Sequence, residues 1–173
     1  MAKIDPAPRA LLFQAVMVND VDMFVDIESL LQRYYGKIYS QSNCFQFDKV
    51  SSYYQSEMGD MLWKKFYIFA PCISLEHVHR YKLESQFIES RYAKQGKRCL
   101  NLDPGYLTLY QFSLLTTKPF SHRSYLADGI YSECTLIAKG NGYVLLPWTY
   151  PDYQTPDAMK FFKEAKTYLK SII

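Results

Sequence analysis

"ALLFQAVMVNDVDMFVDIESLLQRYYGKIYSQS", residues 10–42, decides how the chain begins to fold. Residues 10–18 are a short unbroken apolar run, the pattern of a buried strand. Asp20 or Asp22 can cap a helix in which Phe24, Ile27, Leu31 and Tyr34 recur at helical spacing, and Gly36 ends it. "KIYSQS" then reads as a second strand.

Working outward, "LWKKFYIFA" (62–70) is a third strand, closed by Pro71. Ser74 is expected to cap a long helix with Val78, Tyr81, Ile88 and Tyr92 along one stripe, stopped by Gly96. "KRCLNL" is a fourth strand. The order strand, helix, strand, strand, helix, strand is that of ferredoxin-like folds. Residues 41–60 read as a long polar loop, the kind that usually has a job or is mobile. "DPG" at 103–105 reads as a turn, and residues 106–117 as a helix, because the run is long and follows a potential cap. Two hairpins follow. The last helix has Thr155 as cap, Pro156 at its first position, and Met159, Phe162, Ala165, Leu169 and Ile172 on its apolar face. The expectation is one α+β domain over residues 1–173: a ferredoxin-like β-α-β-β-α-β core extended by a helix, two antiparallel hairpins and a C-terminal helix.

Composition narrows the function classes. About half of the 173 residues are apolar and the formal charge is only +3, with both signs interleaved. Duplex DNA calls for a more concentrated basic face and is not expected as a partner, whereas one anionic ligand needs only a local cluster. The 16 tyrosines and 11 phenylalanines fit buried rings with hydroxyls at the rim, and could also stack on bases. Cys44, Cys72, Cys99 and Cys134 lack metal-ligand spacing, and three of them sit in apolar or strand-like runs. No apolar run is long enough to span a bilayer, and the first 20 residues do not read as a secretory signal. A cytoplasmic protein with reduced thiols and no membrane partner is expected.

The hairpin "FSHRSYLADGIYSECTL" (120–136) carries the candidate chemistry. Asp128-Gly129 suits a type I′ turn, which needs positive φ at both positions. Pairing Ala127 with Ile130 then sets Ser124 opposite Glu133 and His122 opposite Thr135. His122 and Glu133 share a face as diagonal neighbours, and Arg123 points away from them. A second turn at Asn141-Gly142 would bring Trp148 near Thr135 and Tyr150 near Glu133, giving a half-polar, half-aromatic face suited to a small-molecule pocket. The alternative is a sheet face left in water, on which His and Glu need no role.

Other motifs exclude more than they propose. Neither Gly36-Lys37 nor Gly96-Lys97 is followed by Ser or Thr, so there is no Walker A loop. No dinucleotide fingerprint and no nucleophile elbow is present. His77 and His79 diverge on a helix and read as surface residues.

"NLDPGYL" (101–107), "TTKPFSHRSYLADGIYSECTL" (116–136) and "LPWTYPDY" (146–153), with "FQFDKVSSYYQSEMG" (45–59), resemble a prokaryotic family catalogued as a domain of unknown function. The resemblance covers nearly the whole chain. Members often carry an automatic label of GTP-binding protein. The family's shared segments map onto Tyr53, Tyr54, Glu57, Asp103, Tyr106, Lys118, His122, Arg123, Tyr125, Glu133, Trp148, Tyr150 and Asp152. Ser124 and Ala127 stand where an apolar residue and a glycine are expected.

The leading functional expectation is a protein that binds an anionic, phosphorylated small molecule or nucleotide beside the 120–136 hairpin. Lys118, His122 and Arg123 would supply positive charge, with Asp103 and Tyr106 added by the shared segments. Trp148 and Tyr150 would pack on a ring, near Asp152. For catalysis, His122 would be the general acid or base and Glu133 would orient it. Asp103, Glu133 and Asp152 could instead hold a divalent cation that bridges to phosphate. The rival expectation is an RNA-associated or protein-interaction module that presents aromatics on an open sheet. Oligomeric state is not legible in the sequence.

Overall fold

The computed structural model describes residues 6–93 and 97–173. In chain order the elements are β1 (Arg9–Val18), α1 (Met23–Tyr35), β2 (Lys37–Gln41), β3 (Phe45–Gln46), α2 (Gln55–Met58), β4 (Trp63–Ala70), β5 (Ile73–Ser74) and α3 (Arg80–Arg91). They continue with β6 (Leu100–Leu107), β7 (Gln111–Thr116), β8 (Arg123–Ala127), β9 (Ile130–Lys139), β10 (Gly142–Leu145) and α4 (Pro156–Ile172). The class is α+β: helices pack on one antiparallel sheet of ten strands, whose main path runs β10-β9-β7-β6-β1-β4-β2.

β1 lies at the centre because it is apolar on both faces, and Ala10 to Val18 are buried without a break. Its two faces belong to different cores. Leu12, Val16 and Val18 meet Phe24, Ile27, Leu31 and Tyr35 of α1 and Ile88 of α3. Leu11, Phe13 and Ala15 meet Phe161, Phe162, Ala165 and Leu169 of α4. In α1 the stripe closes on Tyr35 rather than on Tyr34, which is 45% exposed. Gly36 ends this helix at φ +93°, and a Cβ there would sit 2.7 Å from the Ala70 carbonyl oxygen. Only glycine satisfies both conditions.

Thr155 caps α4 as expected, its hydroxyl accepting from the Ala158 N–H at 3.2 Å. Ser74 does not cap α3. It ends β5 and accepts from the Glu76 N–H, and the helix starts later, at Arg80. His79, expected on a helix surface, lies just before α3, is 9% exposed and meets Asp128 at 3.2 Å. The expected stop at Gly96 lies outside the described residues.

The expected helix over residues 106–117 is not formed. Those residues complete β6 and build β7, with Leu107 paired to Phe112 and Tyr106 to Ser113. Thr108 makes the turn, its hydroxyl accepting from the Tyr110 and Gln111 N–H groups. The run carries no decisive period, and pairing with β1, β6 and β9 captured it as strand. The "DPG" stretch is correspondingly no turn; it lies inside β6. Gly105 is needed there for close approach, since a Cβ would fall 2.5 Å from the Ser113 carbonyl oxygen.

Both hairpins form, each with a shifted register. Asp128 (φ +50°) and Gly129 (φ +76°) make the expected turn, and Ala127 pairs with Ile130. A bulge between Tyr125 and Ala127 then adds one residue to β8, so Tyr125 pairs with Tyr131 and Arg123 with Glu133. One extra residue moves every preceding side chain to the other face. The second hairpin turns at Gly140 and Asn141, with Lys139 paired to Gly142, and β10 stops at Leu145 before Pro147.

Candidate functional site

β6 and β7 pair only from Gly105 to Leu107, and upstream of Gly105 they part. The outward edge of β6 is marked at Leu102, whose N–H donates to Glu89 Oε1 at 2.5 Å and whose carbonyl accepts from Lys82 Nζ at 2.9 Å. Pro104, two residues on, would point its N–H the same way but has none, so it offers β7 no donor. The ladder ends and the sheet forks.

A cavity of about 570 Å³ opens at this fork. Asn101 and Asp103 line it from β6, and Leu114 to Thr116 from β7. Lys64 of β4, Lys82, Gln86 and Glu89 of α3, and Glu133 of β9 complete the inner wall, with Arg98 ahead of β6. Segment 47–57, expected as a loop, covers it with a 3₁₀ turn, α2 and the rings of Phe47, Tyr53 and Tyr54. The Tyr150–Tyr153 turn before α4 closes the remaining side, and Lys118 and Arg123 stand near its mouth.

The wall is charged and internally paired. Lys64 Nζ lies 2.6 Å from Asp152 Oδ2, with both side chains almost fully buried, and near the rings of Phe47 and Tyr153. Lys82 meets Asp103 at 3.3 Å, and Asn101 Nδ2 donates to the other oxygen of Asp103 at 2.7 Å. Arg98 bridges Glu89 at 3.0 Å and Glu57 at 3.4 Å. Arg123 Nε donates to Glu133 Oε2 at 2.6 Å, while its two terminal nitrogens reach the Lys118 carbonyl and the Tyr150 hydroxyl. Lys118 alone of the cavity's five cations has no carboxylate partner among the described residues; its ammonium donates to the Tyr53 hydroxyl at 3.2 Å.

Burial and charge act against each other here. Burial works to raise the Asp103 pKa, but the ammonium groups of Lys82 and Lys64 and the hydrogen bond from Asn101 outweigh it and hold the carboxyl below its ordinary value. In Glu89 burial prevails over Lys82, the Leu102 N–H and Arg98, and the pKa is raised. Burial and the nearby Glu133 charge push the Tyr150 hydroxyl up to about 12, so it stays protonated at neutral pH.

The expected site residues fall into three groups. Asp103, Lys118, Arg123, Glu133, Tyr150 and Asp152 are brought together on the cavity wall. His122 and Trp148 stand behind it. His122 Nε2 is 3.1 Å from Glu133 Oε2, and its ring stacks on Trp148 at 4.5 Å and 14°. The indole N–H of Trp148 is in turn bound to the Cys134 carbonyl at 2.7 Å. Of the two residues expected to work together, Glu133 lines the cavity and His122 contacts Glu133 from outside the lining. Arg123 does not point away from the pair, because the bulge in β8 turns it onto Glu133. Tyr106 is placed elsewhere, its hydroxyl 2.8 Å from Ser132 Oγ and its ring packed with Val78, Leu115 and Ile130. Asp103, Glu133 and Asp152 each face a lysine or arginine. Among the described residues no group of three or more His, Cys, Asp or Glu side chains is placed to hold a metal ion.

Lys64, Lys82, Glu89, Arg98, Asn101 and Tyr153 escaped the sequence reading. One signal was available: Lys64 alternates with Phe66 and Ile68, a charge in the inward row of a strand. Lys82, Ser85 and Glu89 share one face of α3, but a polar stripe on a helix reads as a solvated face.

Among the described residues no helix is long and apolar enough to cross a membrane. No curated protein and no solved structure matches the chain. The model of the family described as Domain of unknown function (DUF4416) matches residues 8–168, and the chain belongs to that family.

Proposed function

We propose that this protein binds an anionic small molecule of the size of a sugar phosphate or mononucleotide in the fork between β6 and β7. The observation that carries the reading is the cavity itself. Its volume lies within the usual range for ligand sites, about 300–1,000 Å³. Ion pairs line it where the same sheet face elsewhere is apolar, and apolar packing would be the cheaper way to fill such a space. Lys118 supplies an uncompensated cation at the mouth, with the Arg123 guanidinium beside it. Tyr53, Tyr54 and Tyr150 offer ring faces to a base or sugar.

We read the scaffold as ferredoxin-like. The path β6-β1-β4-β2, antiparallel throughout, with α1 and α3 on one face, supports this. The four free cysteines support the reading of a reducing, cytoplasmic setting. An RNA-binding role would need an open sheet face bearing aromatics. The central strand β1 is instead covered on both faces, which favours the small-molecule reading.

A thermal-shift panel of nucleotides, sugar phosphates and divalent ions tests the proposal. A ligand at a hundred times its Kd that binds only the folded state adds about 2.7 kcal/mol of stability. A phosphorylated compound should raise the melting temperature, and Lys118→Ala should lose most of that rise. An equal response from wild type and variant would place the ligand somewhere else.

A further inference from the structure

Among the described residues only two buried side-chain oxygens or nitrogens lack a hydrogen-bond partner: Glu133 Oε1 and the Tyr153 hydroxyl. Both residues line the fork cavity. Elsewhere the described interior is satisfied even where it is most polar, as at Lys82, Asn101 and Asp152. Native proteins pair nearly all such groups, because an unpaired one gives up its solvation for nothing. Both exceptions belong to one wall, and since neither oxygen has open surface, each meets a partner in the cavity through a small turn of its side chain.

Glu133 identifies the missing group. Its Oε2 is saturated by Arg123 Nε at 2.6 Å and His122 Nε2 at 3.1 Å, while Oε1 receives nothing. An ionised carboxylate oxygen only accepts, so what completes it is an O–H or N–H donor. A second phosphate oxygen would be repelled. Tyr153 is pushed well above its ordinary pKa by burial and by Asp152, so its hydroxyl keeps its proton and can donate. Lys118, near Arg123, is the cavity cation left without a carboxylate among the described residues. The unmet demands of the wall are therefore one anion at the mouth, one donor for Glu133 and one acceptor for Tyr153. Hydroxyls can serve in either role.

We infer that the ligand is a phosphate ester of a polyol, such as a sugar phosphate or the ribose 5′-phosphate part of a nucleotide, with sugar hydroxyls bound by Glu133 and by Tyr153. This rests on the reading of the cavity as an anion site and adds the half of the ligand that carries no charge. Inorganic phosphate, pyrophosphate and alkyl phosphates satisfy Lys118 and leave Glu133 unmet.

The test compares ribose 5-phosphate, glycerol 3-phosphate and propyl phosphate by calorimetry on the full chain. Propyl phosphate has the three-carbon skeleton of glycerol 3-phosphate without its hydroxyls. The two hydroxylated esters should bind at least about tenfold more tightly than propyl phosphate, the worth of one hydrogen bond to a charged group. Tyr153→Phe keeps the ring that packs on Phe66, Phe112 and Phe162, so it should fold, and it should narrow that ratio. Glu133→Gln should narrow it too, while Lys118→Ala should weaken all three esters alike. Equal binding of the three esters to wild type would overturn the inference and leave the anion site standing. Failure of all three, and of nucleotides, would remove both.

Discussion

Strands β4 and β6 each contribute to two regions on one face of the sheet, the aromatic core under α4 and the charged cavity at the fork. On β4, Phe66 and Ile68 enter the core, and Lys64, earlier in the same row, enters the cavity. On β6, Leu107 belongs to the core, and Asp103 and Asn101 to the cavity. The core is held by ring contacts: Phe162 meets Phe13, Phe112 and Tyr153 with centroids 4.4 to 5.9 Å apart. The cavity is held by ion pairs. What separates them is whether a helix covers the strands and whether the strands stay paired. Under α4 every position can be apolar. At the fork the exposed edge of β6 needs hydrogen-bond partners, which Lys82 and Glu89 supply, and each buried charge then requires its counter-charge.

This contrast can be broken at either end. The largest effect belongs to the core. Phe162→Ala should cost about 3–5 kcal/mol in denaturant unfolding, because a fully buried ring leaves a cavity. Ligand responses should change little in whatever fraction remains folded.

A comparable loss is expected at the cavity, with a different signature. Lys64→Met alone strands Asp152 and should cost about 3–5 kcal/mol, whereas Lys64→Met with Asp152→Leu should come close to wild type or exceed it. No such rescue exists for Phe162→Ala. If the double variant is as unstable as the single one, the pair is structural and the contrast drawn here is wrong.

A smaller effect depends on pH. The Asp103 pKa is lowered from its ordinary value of 3.8, so between the two values the unfolded chain binds more protons than the folded one. The stability contributed by Asp103 is complete above 3.8 and is lost as pH falls through its lowered value. Asp103→Asn should therefore be less stable than wild type at neutral pH, with the gap closing below pH 3.8. Acid-unfolding curves of the two proteins would show it, and a constant gap would contradict it.

The smallest effect on stability should come from Lys118→Ala. Its side chain is exposed and has no carboxylate partner among the described residues, so unfolding should shift by no more than about 0.5 kcal/mol. Affinity for a phosphorylated ligand should nonetheless fall about tenfold, the worth of one charge-assisted hydrogen bond. A variant as dispensable for binding as for folding would reduce the mouth of the cavity to ordinary surface.

Much of the architecture was legible in the chain. The apolar run of β1, the helices α1 and α4, the Thr155 cap and the Asp128-Gly129 turn are local signals and formed where they were read, while the apolar stripes differ at their ends, with Tyr35 buried in place of Tyr34 and Ile172 exposed. The site was legible in part. Glu133 and Arg123 were found, but on opposite faces, because a single bulged residue in β8 leaves no mark in an alternating pattern. The α3 side of the cavity was invisible, since Lys82 and Glu89 look like any solvated helix face until an unpaired strand edge lies against them.

By itself, then, the sequence determined which segments are strands or helices wherever period and capping are strong, and which residues can carry charge. Only the tertiary structure decided that Pro104 stops a ladder instead of making a turn, that residues 106–117 extend a sheet, and that charges from β4, α3, β6 and β9 share one cavity. The physical reason is range. Periodicity, caps and turns act over a few residues, whereas pairing along a strand edge and the mutual compensation of buried charges act between groups as far apart in the chain as Lys64 and Asp152.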